Sequence, residues 1–315
     1  MSHQELTSIS VVIPIYNEEE NISELYRRLR GVLDGHFSTA RCEMIFVDDG
    51  SKDKSIAMLE ALHQKDARVH IVQFSRNFGH HMAVTAGLDH AKGDVTVLMD
   101  GDLQDRPEDI PALVGKIGQG FDLVYAVRKG GDDGGGFTAR MGSHAFVWLM
   151  KQMVREPMAI ETSIFRAMRR NVLEEVKQMR ERDRFLIGLI DWVGFSQGTV
   201  EVMRDKRFAG ETKYPFKKRV RLALNAMFSF STLPLEMAGT IGFIVTIVSF
   251  VMGVYFLMKK LFWGVDVQGF ASLIVSIFFL GGVQLIILGV LGAYIGRIYM
   301  EAKRRPLYIV KKIIE

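Results

Sequence analysis

The N-terminal part of the chain alternates short apolar runs with segments whose apolar residues recur every three or four positions. The short runs predict buried strands, and the three-and-four spacing, as at Ile22, Leu25 and Leu29, predicts amphipathic helices. The predicted strands are Ser8–Pro14, Cys42–Val47, Val69–Phe74, Asp94–Met99 and Phe121–Val127. Strands that alternate with helices indicate an α/β fold with a mostly parallel sheet covered on both faces. In such sheets, ligands bind beyond the carboxyl ends of the strands.

Two long stretches near the C-terminal end, Met237–Met258 and Val267–Gly296, contain no Asp, Glu, Lys or Arg. A helix needs about 20 apolar residues to cross the hydrocarbon core of a bilayer, and both stretches are long enough. Soluble helices of this length normally keep a polar face, which these two lack. The sequence therefore predicts two transmembrane helices.

Basic residues lie on the outer flanks of the two stretches, from Lys213 to Arg221 and from Arg297 to Lys312. The connection between the stretches has only Lys259 and Lys260 as basic residues. Because Lys and Arg accumulate on the cytoplasmic side, we expect a multi-pass protein of the plasma (inner) membrane with both termini in the cytoplasm. The same flanks favour contact with anionic lipid headgroups.

The composition excludes several classes of protein. With 48% hydrophobic residues, the chain is neither disordered nor fibrous, and one cysteine, Cys42, excludes a disulfide framework and a multi-cysteine zinc site. The net charge of +4 belongs mainly to the flanks of the apolar stretches, so nucleic acid is not expected as a partner. No dinucleotide or P-loop glycine signature follows a predicted strand, which argues against dehydrogenases and P-loop enzymes.

Asp100, Asp102 and Gln104 alternate where the fourth predicted strand ends. In an extended chain alternate side chains point to the same side, so these three are predicted to converge. Carboxylate and amide oxygens suit a hard cation such as Mg²⁺ or Mn²⁺, which would neutralise a diphosphate leaving group. The alternative is an ordinary acidic turn before a helix.

Three motifs follow successive strands: I-P-x-Y-N-E at Ile13–Glu18, V-D-D-G-S at Val47–Ser51 and D-x-D-L-Q at Asp100–Gln104. In this order they resemble the family 2 glycosyltransferases of GT-A fold. The resemblance extends nearly over the whole chain, through Ser75–Asp94 to Gly292–Val310. The chain is similar to the polyprenyl-phosphate branch of that family, which includes dolichol-phosphate mannose synthase and bactoprenol glucosyl transferases.

The resemblance implies a Rossmann-like GT-A catalytic domain over residues 1–213, on the cytoplasmic side. An interfacial amphipathic helix is expected over residues 214–232, where basic and apolar residues mix. The transmembrane hairpin is predicted over residues 233–297. A cytoplasmic basic tail is predicted over residues 298–315.

The resemblance also assigns site residues. The nucleotide would be held by Pro14, Tyr16, Glu18 and Asp49. The metal and the donor diphosphate would be held by Asp100, Asp102 and Gln104, with Gly101 at the substrate. Asp102 and Arg128 are expected to act in catalysis, and the phosphates would face Arg128, Arg204, Arg207 and Lys213. The alternative for the last three is a basic patch beside the membrane.

One position departs from the family pattern. Many bacterial relatives carry T-G-D-F-R, whose Asp is assigned to catalysis, whereas this chain has Ile164 at that position. Glu161, three residues upstream, is the candidate to replace the missing carboxylate. A phosphomonoester has its second pKa near 6, so an acceptor phosphate is largely ionised at neutral pH and needs no general base.

The predicted function is inverting transfer of a sugar from a nucleotide-sugar, with UDP favoured, to a polyprenyl phosphate such as undecaprenyl phosphate. The nearest alternative is a processive polysaccharide synthase, which would need more membrane helices than two. A catalytically inactive membrane scaffold is the second alternative, and the intact D-x-D-L-Q argues against it. The identity of the sugar and the formation of a homo-oligomer are left open by the sequence.

Overall fold

A computed structural model of the chain describes residues 7–128, 164–182, 186–203, 233–263 and 269–315. The chain divides into two compact units. One unit is built on a β-sheet and includes the C-terminal residues Arg305–Glu315, and the other contains two long helices.

The described part of the sheet unit contains one eight-stranded sheet. Its strands are β1 (Ser8–Ile15), β2 (Arg41–Asp48), β3 (Val69–Phe74), β4 (Val95–Leu98), β5 (Leu123–Arg128), β6 (Arg166–Arg169), β7 (Gln197–Val202) and β8 (Val310–Ile314). Their spatial order is β7-β5-β6-β4-β1-β2-β3-β8. Pairing is parallel for β1–β2, β1–β4, β2–β3 and β5–β7, and antiparallel where β6 or β8 takes part. The prediction of a mostly parallel sheet is confirmed.

Helices cover both faces of the sheet. The α-helices that the structure describes in this unit are α1 (Ile22–His36), α2 (Ser55–His63), α3 (His80–His90), α4 (Ile110–Gly118), α5 (Arg170–Gln178) and α6 (Leu186–Trp192). Side chains of α1, α2 and α4 share one buried cluster with Ile9, Val11 and Ile13 of β1. Those of α3, α5 and α6 share the other cluster with Val12. Successive residues of β1 therefore enter opposite layers, as expected for a strand buried on both faces.

The strand β8 brings a distant part of the chain into this sheet. It pairs antiparallel with β3, although its residues follow both long helices in the chain. The sequence predicts only a basic tail in this region, because Lys311 and Lys312 interrupt the apolar residues of the strand. Edge strands often carry lysine, which discourages further pairing at the open edge.

The second unit contains the helices α7 (Leu233–Trp263) and α8 (Phe270–Ala302). Within them, Pro234–Phe256 and Val275–Ala302 are long and apolar enough to cross a membrane. Large apolar side chains such as Phe250 and Phe278 are exposed, as required of a surface that meets lipid. The helices approach each other closely at Gly242, since a Cβ there would lie 3.6 Å from Ile287 Cδ1.

The predicted interfacial helix over residues 214–232 lies outside the described residues. The boundaries proposed for the four segments of the chain stay predictions.

Candidate active site

The turns after β1 and β2 are joined by reciprocal hydrogen bonds. The Asn17 N–H donates to Ser51 Oγ at 2.9 Å, and the Lys52 N–H donates back to Asn17 Oδ1 at 2.8 Å. Asn17 has φ +54°, a left-handed conformation that asparagine tolerates better than most residues. The Glu18 N–H donates to Ser55 Oγ at 2.9 Å. These hydrogen bonds therefore hold the turns of the first two motifs together at the carboxyl edge of the sheet.

Asp49 connects the turn after β2 to the turn after β3. Its carboxylate oxygens accept hydrogen bonds from the N–H groups of Phe78, at 2.7 Å, and Gly79, at 2.9 Å. The residue is 3% exposed, and burial raises the pKa of its carboxyl group, an effect that the two N–H donors oppose. At Gly50, φ is +70° and a Cβ would lie 2.6 Å from the Arg76 carbonyl carbon. Glycine is therefore required at the closest approach of these two turns.

A cavity of about 480 Å³ opens between these turns, and we call it the cation-lined cavity. Its lining residues are Tyr16, Gly50, Ser51, Lys52, Gln73, Phe74, Ser75, Arg76, Asn77 and Lys311. Three of these described residues are basic and none of them is acidic, so this wall favours a ligand that carries negative charge or oxygen acceptors. The Tyr16 side chain is 42% exposed, which leaves its ring accessible to a flat ligand.

The D-x-D-L-Q motif forms a turn. The strand β4 ends at Leu98, and Leu103 has φ +60° while its side chain is 2% exposed. Asp102 Oδ1 accepts a hydrogen bond from the Gln104 N–H at 3.1 Å, which closes an Asx-type turn. The predicted extended alternation of Asp100, Asp102 and Gln104 is therefore wrong. The buried Leu103 side chain fixes the turn to the core, and Asp102 and Gln104 lie in the turn on either side of it.

Two contacts place this turn at the end of β1 and the start of α3. A Cβ on Gly101 would lie 2.7 Å from Ile15 Cδ1 and 3.1 Å from the Pro14 carbonyl oxygen, so glycine allows close packing there. On the other side, His80 Nε2 lies 3.6 Å from Asp100 Oδ1. Surrounding protein atoms and the neighbouring His81 lower the pKa of His80 to about 4, so its ring is neutral at pH 7.

The chemistry of the turn suits a divalent cation that also binds substrate. Among the described residues, no group of three or more His, Cys, Asp and Glu side chains is placed to hold a metal by itself. Asp100 and Asp102 supply two carboxylates, and Mg²⁺ in phosphate-transfer sites is typically bound by one or two carboxylates together with substrate phosphates. The assignment of these residues and Gln104 to a metal stays a prediction.

The predicted nucleotide residues differ in their surroundings. Tyr16 lines the cation-lined cavity, whereas Pro14 is buried beside Gly101. Glu18 Oε2 accepts a hydrogen bond from Asn21 Nδ2 at 2.5 Å, and Asp49 binds the turn after β3. Three of the four therefore support the walls of the site, and their contact with a nucleotide stays a prediction.

The remaining predicted site residues fall outside the described part of the chain. This holds for Glu161, Arg204, Arg207, Lys213 and the side chain of Arg128. Their roles stay predictions.

Ile164 is packed among apolar side chains. It is 8% exposed and belongs to the same buried cluster as Tyr125 and Leu186. Nearby, the fully buried Arg166 lies with Nη1 3.7 Å from Asp191 Oδ1, which also accepts a hydrogen bond from the Tyr125 hydroxyl at 2.5 Å. The position of the family's missing carboxylate is therefore part of the core.

Four residues at this edge of the sheet were not among the predicted site residues. Lys52, Arg76 and Lys311 line the cavity, and His80 contacts Asp100. The first two of these cavity residues and His80 each lie shortly after a predicted strand. That position in the chain is the sequence feature that could have identified them. No such sequence feature marks Lys311. It follows the apolar helices in the chain, and it lies at the site only because β8 pairs with β3.

Sequence comparisons find relatives of this chain over nearly its whole length. Residues 10–177 match the family model described as glycosyl transferase family 2. The chain is 45% identical to the uncharacterized glycosyltransferase YkcC of Bacillus subtilis, over 96% of this chain and 93% of that protein. It is 41% identical to a prophage bactoprenol glucosyl transferase homolog of Escherichia coli, over 97% and 99% of the two chains. It is 42% identical to the bactoprenol glucosyl transferase of Shigella phage SfII, over 96% and 97%.

A solved structure shares the fold. Glucosyl-3-phosphoglycerate synthase from Mycobacterium tuberculosis, in complex with Mn²⁺, UDP-glucose and phosphoglyceric acid, superposes with a TM-score of 0.52 and 23% identity. The match covers 71% of this chain and 79% of that one. The sheet, its carboxyl-edge motifs and the full-length relatives lead to one conclusion: the chain belongs to glycosyl transferase family 2, with a GT-A fold followed by two apolar helices.

Proposed function

We propose that this protein transfers a sugar from a UDP-sugar to a polyprenyl phosphate, such as undecaprenyl phosphate, at the cytoplasmic face of the plasma membrane. The product is a polyprenyl-phosphate sugar. Relatives named bactoprenol glucosyl transferases are 41% and 42% identical over nearly the whole chain, and these names favour glucose as the sugar.

The observation that carries the proposal is the junction of the D-x-D turn and the cation-lined cavity at the end of β1. Gly101 packs on the Pro14 carbonyl oxygen and on Ile15, and the next residue, Tyr16, lines the cavity. A nucleotide-sugar needs a pocket for its nucleoside and, beside it, a site that neutralises its diphosphate. The two features offer these sites as neighbours.

Asp100 and Asp102 are proposed to hold Mg²⁺ or Mn²⁺, with Gln104 beside them. Their carboxylates are hard oxygen donors, which both ions prefer. The synthase of similar fold was solved with Mn²⁺ and UDP-glucose. When bound, the ion supplies positive charge that stabilises the departing diphosphate.

The reaction is proposed to be a direct displacement with inversion. An oxygen of the acceptor phosphate forms a bond to the anomeric carbon, while the bond from that carbon to the diphosphate oxygen breaks. Arg128, Arg204, Arg207 and Lys213 are proposed to hold the phosphates, because guanidinium and ammonium groups bind such oxyanions strongly. The acceptor is already ionised at neutral pH, so Glu161 is proposed to position it, and Glu161→Gln is expected to lower turnover only modestly.

The pairing of β8 with β3 supports the proposed membrane topology. The strand β3 precedes the two apolar helices in the chain and β8 follows them, yet both belong to one sheet. Residues on either side of the hairpin must therefore lie on the same side of the membrane. Together with the basic flanks, this supports two crossings with both ends in the cytoplasm.

The test incubates purified full-length protein with undecaprenyl phosphate and a panel of labelled UDP- and GDP-sugars, with and without a chelator. We expect a labelled polyprenyl-phosphate sugar from one UDP-sugar, lost on chelation and restored by Mg²⁺ or Mn²⁺. Asp102→Asn should abolish the product, whereas Glu175→Gln, which alters an exposed carboxylate in α5, serves as the control for folding. Donor consumption without lipid product would contradict the proposal.

A further inference from the structure

The cation-lined cavity receives one residue from a distant part of the chain. Nine of the ten described residues that line it come from β3 or from the turns after β1, β2 and β3. The tenth, Lys311, comes from β8, which follows both apolar helices. The wall of the cavity is therefore completed by the segment that follows the hairpin.

Lys311 has a special place in the strand pairing. Gln73 pairs with Lys312 and Phe74 pairs with Val310, so Lys311 is an extra residue between two paired positions. This is a β-bulge, a feature that bends a strand and redirects a side chain, and that is frequent beside active sites. The bulge coincides with the residue that reaches the cavity.

The neighbouring lysine provides a contrast. Lys312 Nζ donates to Glu60 Oε1 of α2 at 2.8 Å, an exposed ion pair. Among the residues that the structure describes, the ammonium groups of Lys311 and Lys52 have no carboxylate within ion-pair distance. Arg76 stacks its guanidinium over the Phe78 ring, 4.1 Å from its centroid. Within the described ranges, no carboxylate therefore neutralises the lysine charges on the cavity wall.

We infer that Lys311 donates a hydrogen bond to an oxygen of the donor nucleotide, so that the strand after the membrane hairpin is part of the donor site. This rests on the proposed function, in which a nucleoside diphosphate occupies the cation-lined cavity. Phosphate oxygens and the carbonyl oxygens of a pyrimidine base are the acceptors within this class of ligand. An ammonium group suits both, because it is a compact charge with three donors.

The position of Lys311 is secured by contacts around the bulge. The Ser75 N–H donates to the Ile309 carbonyl oxygen at 3.0 Å, which holds the strand against the turn after β3. Tyr308 stacks on Phe74 with 5.0 Å between ring centroids. Because the backbone on both sides is held, ordering the backbone of Lys311 costs little when the ligand arrives.

The test measures the Kd of UDP and of uridine by calorimetry, with full-length protein in lipid nanodiscs. Lys311→Ala should raise the Kd of UDP about tenfold, which corresponds to about 1.4 kcal/mol. Lys312→Ala removes the same charge one residue away and should change it less than about twofold. Lys311→Arg keeps the charge and should stay within about threefold of the unaltered protein.

Comparing UDP with uridine shows which part of the nucleotide Lys311 contacts. If uridine binding is also weakened in Lys311→Ala, the contact is on the nucleoside, and if only UDP binding is weakened, it is on the phosphates. Unchanged UDP affinity in Lys311→Ala, equal losses in both alanine variants, or a loss confined to the KM of the polyprenyl phosphate would overturn the inference. Those outcomes leave the proposed function standing if the unaltered protein still makes lipid-linked sugar, whereas failure to make it would overturn the function itself.

Discussion

The ring of Tyr308 lies stacked on the ring of Phe74, with 5.0 Å between centroids and 17° between planes. Phe74 ends β3 and Tyr308 precedes β8, so the contact joins the chain before the two apolar helices to the chain after them. The Tyr308 hydroxyl also donates to Asp89 Oδ2 at 2.6 Å, and Asp89 is held by both terminal nitrogens of Arg180. The aromatic pair and this carboxylate fasten the C-terminal segment to the sheet.

Tyr308→Phe should weaken the docking of β8 by about 1 kcal/mol, because it removes the hydroxyl bond to Asp89 and keeps the ring. Tyr308→Ala should cost about 2–3 kcal/mol, since the stacked ring is lost as well. Hydrogen exchange of the amides in Val310–Ile314 measures the effect locally. Ile309→Ala, at an exposed neighbour, is the control and should change exchange little. Native protection in Tyr308→Ala would contradict this account.

Gly50→Ala should damage both stability and nucleotide binding. The new Cβ would lie 2.6 Å from the Arg76 carbonyl carbon and 2.8 Å from the Asn77 nitrogen, and φ is +70°. Because both obstacles are backbone atoms, the turns must separate, at a cost of about 2 kcal/mol or more. We expect a lower Tm and at least a tenfold rise in the Kd of UDP.

Gly115→Ala is the matched control for Gly50→Ala. Gly115 lies in α4, and a Cβ there would meet no atom within 4 Å. Alanine in a helix is favoured over glycine by about 0.5–1 kcal/mol, so this variant should be slightly more stable and bind UDP normally. If the two alanine variants behave alike, crowding at Gly50 is not what fixes the turns.

The first five strands could be predicted because each is a short run dominated by apolar, mostly buried residues. The prediction for β3 matches its observed bounds, Val69–Phe74, and the other four differ by one or two residues at an end. The strand β6, Arg166–Arg169, gives no such signal, because two of its four residues are arginines. Arg166 is fully buried, since Asp191 and the Tyr125 ring lie against it, and those partners are distant in sequence.

The motifs of the site could be located from the sequence, but the geometry of their side chains could not. The turn that carries Asp100 and Asp102 depends on Leu103 in a left-handed conformation, which no spacing rule anticipates for leucine. Asp49 looks like a ligand residue, yet its carboxylate holds the turn after β3. Lys311 reaches the cavity only through strand pairing between distant segments, and such pairing leaves no local pattern.

Acid should destabilise the sheet unit through Asp66. Arg68 donates to both oxygens of its carboxylate, at 2.9 and 2.8 Å, and the Tyr26 hydroxyl donates at 3.0 Å. The Arg68 hydrogen bonds lower the pKa of Asp66 from 3.8 to about 2. Because the pKa is lower in the folded state, this stabilisation is complete above pH 4 and is lost as pH falls towards 2.

The measurement compares the unaltered protein with Asp66→Asn by chemical unfolding between pH 7 and pH 2. The difference in unfolding free energy should be about 1–2 kcal/mol at neutral pH, after allowance for solvent around Arg68, and should shrink below pH 4. Other carboxylates titrate in both proteins, so their contribution cancels in the difference. A difference that stays constant down to pH 2 would show that the ionisation of Asp66 does not contribute.

Restoring the family's carboxylate by Ile164→Asp should fail to raise activity. Ile164 is 8% exposed and packs in the cluster that contains Tyr125 and Leu186. A carboxyl group in this apolar surrounding costs about 2–5 kcal/mol, so the variant should unfold at lower temperature and transfer sugar more slowly. Ile164→Val, the control, should cost only about 0.5–1.5 kcal/mol and keep normal turnover. Normal stability with faster transfer in Ile164→Asp would instead mean that this side chain reaches the reacting groups, and Glu161 would then not be needed as a replacement.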